Sequence, residues 1–236
     1  MSSADHKAIE VIAFDADDTL WHNESLFTVT QTKFKQLLAG YHSDEWIEAK
    51  LNETEHRNIE HFGYGIKGFT LSMIETAIEL TEGRISGAEI QQIINYAKAM
   101  RQAPVELLDG VAETISALAG HYTLMLITKG DLFDQESKIA RSGLGDHFSH
   151  LEIVSEKNTE VYRTIMSKHR LDPRRFLMVG NSIKSDILPV IEAGGRAVHV
   201  PYHTTWVHEQ VSDYDAASFY EIASLRELPA LLTKIS

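Results

Sequence analysis

The chain has no cysteine among its 236 residues. That excludes a disulfide framework, a thiol nucleophile and any thiolate metal site, and it fits a reducing compartment. Long apolar runs are also missing. None approaches the ~18 residues that would mark a membrane-spanning helix. The first residues, Met1-Ser2-Ser3-Ala4-Asp5-His6-Lys7, lack a basic stretch followed by an apolar one, so no secretory signal is expected and a cytoplasmic location is. Positive charge is scarce, with 22 Lys and Arg against 34 Asp and Glu and a net charge of −12. Such a balance argues against nucleic-acid or anionic-membrane partners. A phosphorylated ligand would have to find its positive charge locally, from a metal and a few lysines. Apolar residues are plentiful at 43%, enough for a sizeable core. The length suits one large domain or a domain carrying a smaller insert.

Two kinds of sequence follow one another. In residues 21–105, Leu26, Val29, Phe34, Leu37 and Leu38 recur at helical spacing up to a stop at Gly40. A polar helical stretch covers Asp44–His61, a glycine-rich break covers Gly63–Gly68, and two more helices are expected near Phe69–Leu80 and Ala88–Met100. This block shows no strand pattern. Residues 106–236 read instead as βα repeats. Helices are expected near Gly110–Ala119, Leu132–Ser142, Thr159–His169 and Ile183–Ala193. Strands are expected at Tyr122–Ile127, Arg175–Val179 and Arg196–Val200, and Phe148–Val154 reads as a hydrophobic turn. The tail after His203 reads as irregular, then helical near Ser218–Ile222 and Leu225–Leu232. Strands alternating with helices imply a parallel sheet. The expected fold is therefore α/β: a Rossmann-like three-layer core of residues 1–20 and 106–236, with an all-α insert of residues 21–105.

Chemistry gathers at the strand ends. Val11-Ile12-Ala13-Phe14 leads directly into Asp15-Ala16-Asp17-Asp18-Thr19. In open α/β sheets, ligands bind outside the carboxyl ends of the strands. Crowded carboxylates there call for a counter-cation, and hard oxygen donors suit Mg²⁺. An Asp beside Mg²⁺ can also serve as a covalent nucleophile. The same residues can serve as an ordinary strand–turn junction, since Asp is a good turn former and helix cap. Other strand ends add to the picture. Leu124–Ile127 ends in Thr128-Lys129-Gly130, Lys157 follows the next hydrophobic segment, and Phe176–Val179 ends in Gly180-Asn181-Ser182-Ile183-Lys184-Ser185-Asp186.

These pieces in this order resemble the four motifs of the haloacid dehalogenase superfamily: DxDxT, a strand ending in Thr or Ser, a Lys, and a G(D/N)SxxxD-like segment. The resemblance implies that Asp15 is the nucleophile that becomes an aspartyl-phosphate and that Asp17 is the general acid and base. It implies Mg²⁺ held by the Asp15 carboxylate, the Asp17 backbone carbonyl and Asp186, with Asn181 part of the metal site, holding a water on the ion or orienting a neighbour. Thr128, Lys129 and Gly130 would bind the phosphoryl group, and Lys157 would neutralise charge built up in transfer. The chain departs from the pattern twice: Asn181 stands where the family often has Asp, and Asp18 where Gly is more common.

Within the superfamily, a second Asp in the first motif favours phosphoryl transfer over carbon–halogen displacement. The helical insert resembles the family's small helical cap, which suits a small phosphorylated metabolite, and Lys67 in its glycine-rich loop is a candidate substrate contact. A phosphomutase would use the same aspartate pair. A receiver-like or non-catalytic binding module is the alternative of a different class; receivers are about half this long and carry the acceptor Asp after a middle strand. A homodimer through the insert is left open. The histidines of the loop His199–Trp206 and the neighbouring His208 fall at loop spacings, without the helical pair that favours a metal site.

Overall fold

A computed structural model describes residues 8–204, 206, 209, 211 and 214–235. The chain divides into two compact units. The first comprises the residues up to His22, Val105–Lys129 and Ser137 onward; the second comprises Asn23–Pro104 and Gly130–Glu136. Residues 130–136 thus group with the helical insert, although they fall inside the span that the sequence assigns to the core.

The first unit is built around β1 (Val11–Phe14), whose four residues are all buried. A strand covered on both faces reads as a continuous apolar run, as this one does. β2 (Thr123–Lys129), β3 (His150–Val154), β4 (Phe176–Gly180), β5 (Arg196–His199) and β6 (Tyr220–Glu221) complete a six-stranded sheet of order β3-β2-β1-β4-β5-β6. Every pair is parallel. Side chains alternate across the sheet. Ile12, Phe14, Leu124, Leu126, Leu177 and Val179 share one core with Ile115 of α5 (Val111–Ala119) and Leu228 of α9 (Leu228–Ile235). Val11, Ala13, Met125, Phe176 and Met178 share the opposite core with Tyr162, Ile165 and Met166 of α7 (Thr159–Lys168). The result is the expected Rossmann-like three-layer fold. The strand order reverses between β1 and β4, and that switch point is where such sheets bind ligands.

Three local expectations are corrected. Phe148–Val154 is not a turn: His150–Val154 forms β3, pairing with Met125–Lys129 at the sheet edge. Ser218–Ile222 is not helical. A 3₁₀ turn at Ala216–Ser218 leads into β6, where Tyr220 and Glu221 pair with Val198 and His199. Ile183–Ala193 is not one regular helix: a π-helical turn at Ile183–Ile187 precedes the short α8 (Leu188–Glu192). The readings that rest on Met1–Lys7, Thr205 and His208 lie outside the described residues.

The helical unit holds α1 (Glu24–Leu38), α2 (Asp44–Phe62), α3 (Ile66–Leu80) and α4 (Gly87–Gln102) around Phe34, Leu38, Ile47, Leu51, Phe69, Met73 and Ile93. Ser86 and Glu89 form a reciprocal capping box that starts α4. Between α2 and α3, Gly63 and Gly65 take φ of 68° and 103°, which side-chain-bearing residues rarely adopt.

Glu55 of α2 is buried, with no hydrogen-bond partner at Oε2 among the described residues. Burial pushes its carboxyl up to about 7, from 4.5 for an ordinary Glu. The folded state therefore holds this proton more tightly than the unfolded chain. The stability gained is fully present below pH 4.5 and is lost as pH rises through about 7. The loss amounts to as much as ~3 kcal/mol. Urea unfolding of wild type and Glu55→Gln at pH 5 and pH 8 is expected to show a smaller pH difference in the variant. Equal pH dependence in both proteins would show that Glu55 does not carry the effect.

Candidate active site

The chain leaves β1 in a tight turn. The carbonyl of Ala16 accepts the N–H of Leu20 at 2.8 Å, and the N–H of Asp18 donates to the Trp21 carbonyl at 2.8 Å. Asp18 adopts φ of 59°, the left-handed region that Gly takes freely and Asp tolerates better than most residues. This accounts for an Asp where the motif more often has Gly.

At the centre of the first unit's strand ends lies Lys157. Its Nζ is 2.5 Å from Asp15 Oδ1 and 2.7 Å from Asp186 Oδ1. All three side chains are buried. The second oxygen of Asp15 accepts from Thr19 Oγ1 at 2.9 Å, and the second oxygen of Asp186 accepts the Ser182 N–H at 3.0 Å. Burial pushes the Asp15 carboxyl up to about 7; repulsion from Asp186 adds to this, and the Lys157 charge works against it. Burial works against the charge of Lys157 too, but Asp15 and Asp186 outweigh it and hold the ammonium well above its ordinary range. Tyr162 lies alongside and donates its hydroxyl to the Ser185 carbonyl at 3.0 Å.

The other sequence-predicted residues are held in separate surroundings. The Asp17 carboxylate is held by other groups as well as lying near enough to Asp15 to repel it: Oδ1 accepts from Trp21 Nε1 at 2.7 Å, and both oxygens lie 2.7 Å from Lys138 Nζ. Asn181 joins the Asp15 side through Thr19, whose Oγ1 lies 3.1 Å from Asn181 Oδ1 and accepts the Asn181 N–H at 3.1 Å. Thr128 is buried at the end of β2. Lys129 donates to Glu209 and Glu156. Gly130 takes φ of 147°, open mainly to glycine. In the helical unit, Lys67 Nζ lies 2.9 Å from Asp131 Oδ2 and 5.9 Å from the centre of the Phe133 ring. His199 contacts the Asn181 carbonyl and Glu221 through its two ring nitrogens.

The sequence reading missed Lys138, Trp21 and Glu209. Lys138 lies 121 residues from Asp17 in an ordinary amphipathic helix, α6 (Leu132–Ser142), with no local motif to mark it. Trp21 carried a signal, because it sits four residues from Asp17, within reach across the tight turn.

The donor set can be tested for a metal. Among the described residues no three His, Asp or Glu side chains converge. Two carboxylates, Asp15 and Asp186, do converge on a single cation, the Lys157 ammonium. One ammonium does not balance two ionised carboxylates, so a further cation is electrostatically welcome. Mg²⁺ is commonly bound through one or two carboxylates, with water and phosphate oxygens filling the remaining positions. The residues present fit that pattern.

Comparison with known proteins agrees with this architecture. The haloacid dehalogenase-like hydrolase family matches residues 9–194. The chain belongs to this family. A haloacid dehalogenase-like hydrolase of Xanthomonas campestris is similar in structure, with a TM-score of 0.86 and 41% identity, covering 99% of this chain and 94% of that one. Pyrimidine 5'-nucleotidase YjjG of Escherichia coli K12 is 25% identical, over 94% of this chain and 97% of its own. A glyceraldehyde 3-phosphate phosphatase of Pyrococcus furiosus is 23% identical, over 97% and 95%. No helix among the described residues is long and apolar enough to cross a membrane.

Gly180, at the end of β4, makes the approach of Asp186 possible. A Cβ on Gly180 would lie 2.3 Å from Asp186 Oδ2 and 2.6 Å from its Cβ. Gly180→Ala is expected to displace Asp186 and to destabilise the first unit by about 1–3 kcal/mol. Thermal denaturation measures this, and an unchanged melting temperature would mean that the turn accommodates the methyl without moving the carboxylate.

Proposed function

We propose that this hydrolase is an Mg²⁺-dependent phosphatase acting on a small phosphorylated metabolite, through an aspartyl-phosphate on Asp15. The observation that carries the reading is the convergence of the Asp15 and Asp186 carboxylates on buried Lys157 at the ends of β1 and β4. The similarity to a nucleotidase and to a phosphatase supports it.

In this reading each residue has a part. Asp15 supplies the oxygen that bonds to phosphorus as the bond from phosphorus to the ester oxygen breaks. Asp17 donates a proton to the leaving oxygen. It then takes one from water as that water attacks phosphorus and releases inorganic phosphate from Asp15. Lys138 and Trp21 hold the Asp17 carboxylate in place. Lys157 balances charge on Asp15 and on the transferring group. Thr128 and Lys129, at the end of β2, are placed on the phosphoryl side in this reading. Mg²⁺, held by Asp15, Asp186 and the Asp17 carbonyl, would screen the repulsion between nucleophile and phosphate and orient the group. A dehalogenase needs no acid at the leaving group, so the anchored Asp17 favours phosphate transfer.

The deciding experiment is phosphate release from a panel of small phosphate esters, with Mg²⁺ and with EDTA. Release is expected with Mg²⁺, to vanish with EDTA, and to fall on the order of 10³-fold or more in Asp15→Asn. No release from any ester would overturn the reading. Trp21→Phe removes one of the groups that hold Asp17. It is expected to lower kcat by roughly 10-fold while leaving KM nearly unchanged, because orientation of the proton donor matters in the transition state more than in binding. Steady-state kinetics on the best ester checks this.

A further inference from the structure

Glu209 lies in the stretch after β5 and is outside every motif of the sequence. Its side chain is only 14% exposed. One oxygen is 2.5 Å from Lys129 Nζ. The other accepts from Ser182 Oγ at 2.5 Å and from Ser185 Oγ at 2.6 Å. Burial opposes ionisation of Glu209, but the Lys129 charge and the hydrogen bonds from Lys129, Ser182 and Ser185 outweigh it and hold the carboxyl below its usual range.

These contacts reach two functional strand ends at once. Lys129 directly follows Thr128 at the end of β2. Ser182 and Ser185 belong to the turn that carries Asp186. Ser182 caps that turn, accepting the Ser185 N–H at 3.0 Å, and its own N–H holds Asp186 Oδ2. The turn is π-helical, a geometry less favourable than a regular α-helix and frequent at functional sites. This turn is also tied from outside. Tyr162 supplies one at the Ser185 carbonyl, and Glu209 supplies two at the serine hydroxyls.

We propose that Glu209 is a positioning residue. Its carboxylate clamps the Ser182–Ser185 turn, and so fixes Asp186, while neutralising Lys129 beside it. It acts through these neighbours and touches neither Asp15 nor the transferring group. The proposal rests on the reading of Asp186 as an Mg²⁺ ligand.

The test compares wild type, Glu209→Gln and Glu209→Ala in the full chain. Three quantities are read: melting temperature without metal, Mg²⁺ affinity by calorimetric titration, and kcat and KM on the best ester of the panel. Glu209→Ala is expected to weaken Mg²⁺ binding several-fold and to lower kcat at least 10-fold. KM should stay within about threefold, and the metal-free melting temperature within a few degrees. Glu209→Gln keeps the shape and one acceptor oxygen, and is expected to recover part of the Mg²⁺ affinity. Unchanged Mg²⁺ affinity in both variants overturns the proposal. So does a loss of affinity that merely follows a collapse in melting temperature in both variants, and so does a wild type that binds no Mg²⁺. A wild type that binds Mg²⁺ but releases no phosphate would overturn the phosphatase reading while leaving the Glu209 comparison decisive.

Discussion

One buried ammonium organises the first unit. Lys157 lies between two carboxylates carried by adjacent strands, Asp15 at the end of β1 and Asp186 just past β4. Without a cation, two buried like charges would face each other at the point where the sheet must be most closely packed. Removing one partner of a buried ion pair typically costs about 3–5 kcal/mol. The surrounding backbone is shaped to this need: Gly180 leaves room for the Asp186 side chain, and the Ser182 N–H takes up its second oxygen. The apolar cores on both faces of the sheet keep water away, which strengthens every interaction in the cluster.

A pattern of matched acids and lysines surrounds this centre. Asp17 is set against Lys138, Glu209 against Lys129, and Asp15 and Asp186 share Lys157. A chain with a net charge of −12 thus sets three of its 22 basic residues against these acids. Lys129 also answers the half-exposed Glu156, at 3.4 Å. On Lys157 one buried ammonium answers two buried carboxylates, an imbalance that a divalent ion would relieve in the proposed reading. The helical unit treats charge differently, spreading it over half-exposed pairs such as Arg57 with Glu53, Glu75 and Glu79, each of small energetic weight.

What the sequence reveals follows from how locally each feature is encoded. β1 is legible because four consecutive buried positions need four apolar residues, and Asp15 is legible because it ends that run. The helices of the insert are legible from apolar spacing and from the glycine-rich break between the second and third. β3 is obscured because an edge strand with partly exposed residues lacks a continuous apolar run: His150 and Glu152 interrupt it. β6 is two residues long and exists only through its pairing with β5. Lys138 and Glu209 were invisible for a similar reason, since each is defined by a partner far away in sequence.

The central position of β1 has a price in assembly. Val11 pairs with Thr123 on one side and with Phe176 on the other, so β1 is made well before either of its neighbours and is completed only after both have emerged. Until residues beyond 176 have emerged, an apolar segment with unpaired backbone edges must wait, and such segments are prone to aggregate. The helical unit, drawn mostly from Asn23–Pro104, has contacts nearer in sequence and can form while β1 is still without neighbours. Truncated chains ending within that unit would carry the strand that leads to Asp15 as a sticky end, making them natural clients for chaperones.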